Sequence, residues 1–264
     1  MLGCVESKIN MDCWLNIGVL GGACWPTNES KITFGGRELI LKPATKDTEQ
    51  SIHINLKGIS DIEARTLINR FLSILAWSDE QGMEDFGGLS GTPIPCAVPR
   101  KPRVLGSILQ NAFSKEFPFY SEIERDTKAQ LALALYREGL TNNSGPFAFL
   151  SYFKILNIFW KDKYIKIKNK NKNELVEGIR SLLPKIKDDL AKKRLIEIKK
   201  TEHDVPKYLY ESGRCAIAHA HSYPIVDPDD VTDLRRLSQD IWIVRAMAEY
   251  LIKTELNVSK SILG

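Results

Sequence analysis

Tyr208-Leu-Tyr-Glu-Ser-Gly-Arg-Cys-Ala-Ile-Ala-His-Ala-His221 is helical by its spacing and reactive by its chemistry. At about 100° per residue, Leu209, Gly213, Ala216, Ile217 and Ala220 fall on one stripe, whose small side chains let a second helix come close. The stripe is expected in the core, packed against the last helix around Leu237, Ile241 and Val244. Its flanks carry Arg214, a planar and permanently charged fork, and His219 and His221, imidazoles that exchange protons near neutral pH. On a straight α-helix Arg214 lies nearly in line with His221 but about 140° from His219. An Arg214–His219 pair therefore needs the helix to loosen before Pro224, or a second copy of the chain to complete the site. The residues alone also allow Arg214 to snorkel into solvent while the histidines cap a helix end.

Outward from this stretch the period stays helical. Asp227-Pro-Asp-Asp230 reads as a helix start, since Asp can cap and proline suits the first helical position. Leu234, Leu237, Ile241, Val244, Ala248 and Leu251 follow in threes and fours as a packing seam. Upstream, a helix is expected over 174–200, divided by Pro184. Another is expected over Pro146–Trp160, which is too short and too interrupted by Lys154 to span a bilayer and so reads as a core helix. Ser121 with Glu124 and Ser60 with Glu63 make two capping boxes; the second is followed by Ala64, Leu67, Ile68, Phe71, Leu72 and Leu75 at helical spacing. Between the boxes, Asp79–Arg103 reads as a loop rich in glycine and proline, without the lysine of a phosphate-binding loop. Before residue 58 the pattern is short extended pieces broken by glycine, including Ser51–Leu56, whose alternation places His53 on a polar, solvent-facing side. The expected fold is mainly α, with a small β-rich N-terminal region over 1–58 and a helical domain over 59–264.

With 43% apolar and 27% charged residues in 264, the composition is that of a globular protein able to bury a core. The net charge of +4 is mild, but Lys154–Lys172 holds seven lysines against the single acid Asp162. Lys161, Lys163, Lys166 and Lys168 are the candidate contacts to a polyanion such as RNA. Tyr164 and Trp160 suit base stacking or anchoring of the preceding helix, and the alternating Lys, Ile and Asn suit a solvated hairpin equally well. Five cysteines without a C-x-x-C pair favour neither a zinc site nor a disulfide framework. The first residues lack a signal-peptide pattern, so a reducing cytoplasm and no membrane are expected.

Arg214-Cys-Ala-Ile-Ala-His219 resembles the Arg-x4-6-His motif of the HEPN superfamily, and the wording around it resembles the methylamine-utilisation MauJ-like branch. The resemblance is most specific over 205–256, looser from 60 to 200, and absent before. It implies an HEPN-like helical bundle with its core at about 120–256, working as a homodimer in which paired motifs face each other. It implies an RNA-binding protein or a metal-independent endoribonuclease with Arg214 and His219 as catalytic groups, supported by His221, Cys215 and Tyr210, and needing no cofactor. Cys215 departs from the Asn, Asp or His usual after the arginine. That departure favours the alternative of a non-catalytic scaffold that senses a ligand or an unidentified protein partner. A metal hydrolase built on His219, His221 and Asp227 or Asp229 would need an extended backbone there.

Overall fold

The computed structural model describes residues 13–100, 126–167, 170–219, 224–227 and 229–260. It is mainly α with a small antiparallel sheet at the N-terminal end, and it divides into two compact units, Met1–Phe71 with Glu84–Phe119 and Leu72–Met83 with Tyr120–Gly264.

The first unit is built on a five-stranded sheet from β1 (Trp14–Gly21), β2 (Ser30–Phe34), β3 (Arg37–Lys42), β4 (Ser51–Asn55) and β5 (Met83–Thr92), in the order β2-β3-β4-β1-β5. Gly35 and Gly36, both at positive φ, close the β2–β3 hairpin, as a tight turn between right-twisted strands requires. β4 pairs antiparallel with β1, setting His53 opposite Asn16, and with β3, setting Ile54 opposite Leu39. The segment expected as a loop supplies β5, because Gly88 lets it cross β1 where a Cβ would stand 1.9 Å from the Asn16 carbonyl oxygen.

His53 is a further correction. It is fully buried, because residues 86–98 cover the face expected to meet solvent, with Phe86 and Val98 against Gly18. Asn16 donates to the Leu89 carbonyl (3.1 Å) and to Thr92 Oγ1 (2.8 Å), which leaves its Oδ1 to accept from the Cys96 N–H (2.8 Å) and from His53 Nδ1 (2.8 Å). The His53 proton is thereby placed on Nδ1, and Nε2 accepts from the Ser51 hydroxyl at 2.9 Å.

α1 (Asp61–Asp79) starts at the expected box: the Ser60 N–H donates to Glu63 Oε2 (2.9 Å), and the Glu63 N–H donates to Ser60 Oγ (3.2 Å). The second unit contains α2 (Thr127–Thr141), α3 (Gly145–Asn157), a hairpin of β6 (Tyr164–Ile167) and β7 (Lys170–Asn173), α4 (Glu174–Leu182) and α5 (Asp189–Ile198). α6 (Val205–Tyr208) then continues through a π-helical turn, Leu209–Cys215, into α7 (Ala216–Ala218), and α8 (Val231–Tyr250) follows. Pro184 divides α4 from α5 as expected, inside a short 3-10 turn. Asp126, Asn173, Asp188, Asp204 and Asp230 each accept a backbone N–H at the start of α2, α4, α5, α6 and α8. The box Ser121/Glu124 and Pro228 lie outside the described residues. The expected start of α8 moves from Asp227 to Asp230, because Asp227 Oδ1 accepts from the Asp229 N–H (2.9 Å) and makes a turn ahead of the helix.

α3 is the buried core helix that its composition announced: Phe149, Tyr152, Phe153, Ile155 and Leu156 are shut off from solvent, while Lys154 reaches out. Each such side chain contributes about 1.5–3 kcal/mol of transfer free energy. α2 meets α3 at Gly139, an interior helical position where a Cβ would strike the Tyr152 ring. The site stripe is also seated on α3. Leu209, Gly213 and Ala216 are buried and Ile217 is half-buried, but a Cβ on Gly213 would lie 2.5 Å from Phe149 Cζ, so this contact falls on α3 rather than on the expected seam of α8. Ala220 is outside the described residues. Gly213→Ala should therefore overpack the α3 contact and cost about 1–3 kcal/mol, read as a lower thermal midpoint; an unchanged midpoint would show that the ring has room.

Candidate functional site

The helix loosens where the Arg214–His219 pair required it to. In the turn Leu209–Cys215 the hydrogen bonds reach back five residues, and the Ala216 N–H donates to the Glu211 carbonyl. Positions five apart then come towards register. Tyr210 and Cys215 interact through their side chains, and burial first, then the Asp162 carboxylate and the Cys215 thiol, push the Tyr210 hydroxyl up. Arg236, on α8, donates to the Ser212 carbonyl at 2.9 Å and so supports the widened turn from outside the helix. α7 ends at Ala218, and His219 is extended (φ −131°, ψ 118°), its N–H donating to the Cys215 carbonyl at 3.0 Å.

The meeting point is Asp162, on the bend between α3 and β6. Its Oδ1 accepts from the Tyr210 hydroxyl (2.7 Å) and from Asn173 Nδ2 (2.8 Å), and its Oδ2 pairs with Arg214 Nη2 at 3.1 Å. Arg214 Nη1 points to Cys215 Sγ at 3.7 Å, and its guanidinium lies 5.8 Å from the Tyr210 ring centre. Burial pushes the Asp162 carboxyl up. The hydrogen bonds from Asn173 and Tyr210, with the charge of Arg214 and the proximity of His219, outweigh burial and hold it below the usual carboxylate range. Arg214 thus pairs directly with this carboxylate, and His219, at the end of the same helix, acts on it through its charge. Chemically this is a charged fork, a phenol and an amide on an anionic carboxylate, with a thiol against the fork and an imidazole at the same helix end, groups suited to binding an oxyanion and moving a proton.

Asp162 and Asn173 were not among the residues singled out from sequence. Asp162 stood out only as the one acid in a lysine run, and Asn173 is visible in the sequence only as a residue just ahead of the expected helix start at Glu174. Of the lysines proposed for RNA, Lys161 and Lys166 are exposed, Lys163 pairs with Glu174 (3.6 Å), and Lys168 lies outside the described residues, as does His221. Lys172 likewise pairs with Glu177 at 3.1 Å. The run is thus the solvated hairpin its alternation allowed, partly neutralised by the first turn of α4. Trp160 packs on Gly178 of α4 and anchors the end of α3, whereas Tyr164 is exposed. Among the described residues, no helix is long and apolar enough to cross a membrane.

The family described as methylamine utilization protein MauJ matches residues 132–253, from within α2 to the turn after α8. That span holds Asp162, Asn173, Tyr210, Arg214, Cys215 and His219, and it agrees with the branch that the sequence around Arg214 resembles. Neither a curated protein nor a solved structure matches the chain.

Proposed function

We propose that the helical unit is an HEPN-like bundle and that the protein is a metal-independent endoribonuclease using Arg214 and His219. The observation that supports this reading is the π-helical turn that places Arg214 on Asp162, with His219 extended at the end of the same helix and its charge felt by that carboxylate. Neutral His219 takes the proton of a ribose 2′-hydroxyl, whose oxygen attacks the adjacent phosphorus. The bond from phosphorus to the 5′-oxygen breaks, that oxygen takes up a proton, and a 2′,3′-cyclic phosphate remains. Arg214 holds the charge that builds on the non-bridging oxygens. DNA, which lacks the 2′-hydroxyl, resists. Lys161 and Lys166 hold flanking phosphates, and two copies of the chain bring paired sites together as a homodimer.

Incubation with mixed RNA in chelator should give cyclic-phosphate ends. Arg214→Lys should keep the charge yet lose activity by about 100-fold or more, because an ammonium lacks the planar fork. His219→Ala should be inactive while folded. Equal cleavage by wild type and His219→Ala would overturn the assignment. A second reading, the non-catalytic scaffold, is favoured by the Arg214–Asp162 ion pair, which already satisfies the charge a substrate would need. It takes precedence if none of these proteins cleaves RNA.

A further inference from the structure

Three donors from two elements aim at one carboxylate, and each is held by something other than that carboxylate. Asn173 Oδ1 caps α4 by accepting from the Leu175 N–H (2.9 Å) and the Val176 N–H (3.3 Å), which turns Nδ2 towards Asp162. Tyr210 and Arg214 are carried by the π-helical turn, which Gly213 seats on Phe149 and Arg236 braces at Ser212. Asp162 belongs to the short bend at 161–163, where the Lys163 N–H donates to the Lys161 carbonyl at 2.9 Å. The cradle is thus anchored in helices, while the group that fills it sits on a turn.

We propose that Tyr210, Asn173 and Arg214 form a binding site for a phosphate-type oxyanion, and that Asp162 is an internal plug occupying it until a ligand displaces it. A carboxylate and a phosphate both present paired oxygens to a guanidinium fork, so one can stand in for the other. Displacement frees the hydroxyl, the amide and the guanidinium together, within the electrostatic reach of His219. This inference rests on the Arg214/His219 reading for its biological ligand, a phosphodiester of RNA, but its chemistry is that of any phosphate.

Plugging lowers apparent affinity by the fraction of molecules that are open, so with about one in ten open, removing the plug tightens binding about tenfold. The experiment is calorimetric titration of inorganic pyrophosphate, and separately of a short RNA, into the full-length wild type, Asp162→Asn, Asp162→Ser and the double variant Asp162→Asn/Tyr210→Phe. Both single variants should bind pyrophosphate about tenfold more tightly, and the double variant should lose most of that gain. A gain confined to RNA supports the site with a phosphodiester as its ligand. Unchanged or weaker binding of both ligands in both single variants overturns the proposal, and so does loss of folding in both, since a plug is dispensable to the fold. The binding gain and the His219-dependent cleavage are separate readouts, so either can fail while the other stands.

Discussion

Asp240→Ala should destabilise the helical unit by about 2–4 kcal/mol, lowering its thermal midpoint by about 5–15 °C. Asp240 is almost fully buried on α8, where Oδ1 accepts from Arg194 Nε (2.7 Å) and Oδ2 accepts from the Tyr208 hydroxyl (2.8 Å) and lies 3.5 Å from Arg236 Nη1. Burial pushes its carboxyl above the usual range despite the two guanidiniums, so the network itself adds little net stability. Its removal is costly for a different reason, because it strands the Tyr208 hydroxyl and two half-buried cations. The loss stays at the low side of the range for broken buried pairs, since Arg194 keeps Glu197 (3.1 Å) and Arg236 keeps Asp233 (3.4 Å). Tyr208 immediately precedes the π-helical turn and Arg236 holds its Ser212 carbonyl, so the same substitution should loosen the site helix. Asp240→Asn, which keeps an acceptor and the shape, should cost less. Calorimetric midpoints decide the matter: an Asp240→Ala protein melting within about 2 °C of wild type would show that the network is dispensable.

The second large effect is acid lability of the sheet unit. Burial, and then the positive charge of Lys42, lower the His53 imidazole from 6.5 to about 4. The unfolded chain therefore binds a proton that the folded one refuses between those values, and stability must fall as pH drops from about 6.5 to about 4, levelling off below. The stabilisation present at neutral pH and lost across that window is about 3–4 kcal/mol at 1.36 kcal/mol per unit. Nδ1 is committed to Asn16 and Nε2 faces a hydroxyl, so no carboxylate in this hydrogen-bonded pair receives the added charge. Denaturant midpoints measured from pH 7.5 to pH 4 should decline for wild type, and more shallowly for His53→Gln, which cannot titrate. Equal slopes in the two proteins would remove His53 as the cause.

Local chemistry made the elements legible. The Ser60/Glu63 box, Pro184 as a divider and the apolar run of α3 each act through neighbours within a turn or two, and they behave as their spacing implies. Readings that depended on which surface covers which did not carry over. Alternation placed His53 on a polar face correctly, but whether that face meets water depends on residues 86–98, more than thirty positions away. Glycines 87, 88 and 91 suggested a loop, although Gly88 is needed because β5 crosses β1 too closely for a side chain. Asp227-Pro228 carried a helix-start pattern, yet Asp227 spends its carboxylate on a preceding turn.

The candidate site divides in the same way. Sequence alone determined that Arg214, Cys215 and His219 share a helix end and that Tyr210 lies one turn before, because chain neighbours stay neighbours in any fold. Only the tertiary structure decided that Tyr210 and Arg214 meet at Asp162. The wide turn at Leu209–Cys215 is seated on α3 at Gly213 and held from α8 by Arg236, and His219 leaves the helix in an extended conformation; these contacts join residues far apart in the chain. Asp162 and Asn173 reach the site across a hairpin, 48 residues before Tyr210 in the case of Asp162. The hydrogen-bond accounting of a half-buried hydroxyl and guanidinium and a buried amide is a property of three-dimensional neighbours, and spacing along the chain does not encode it.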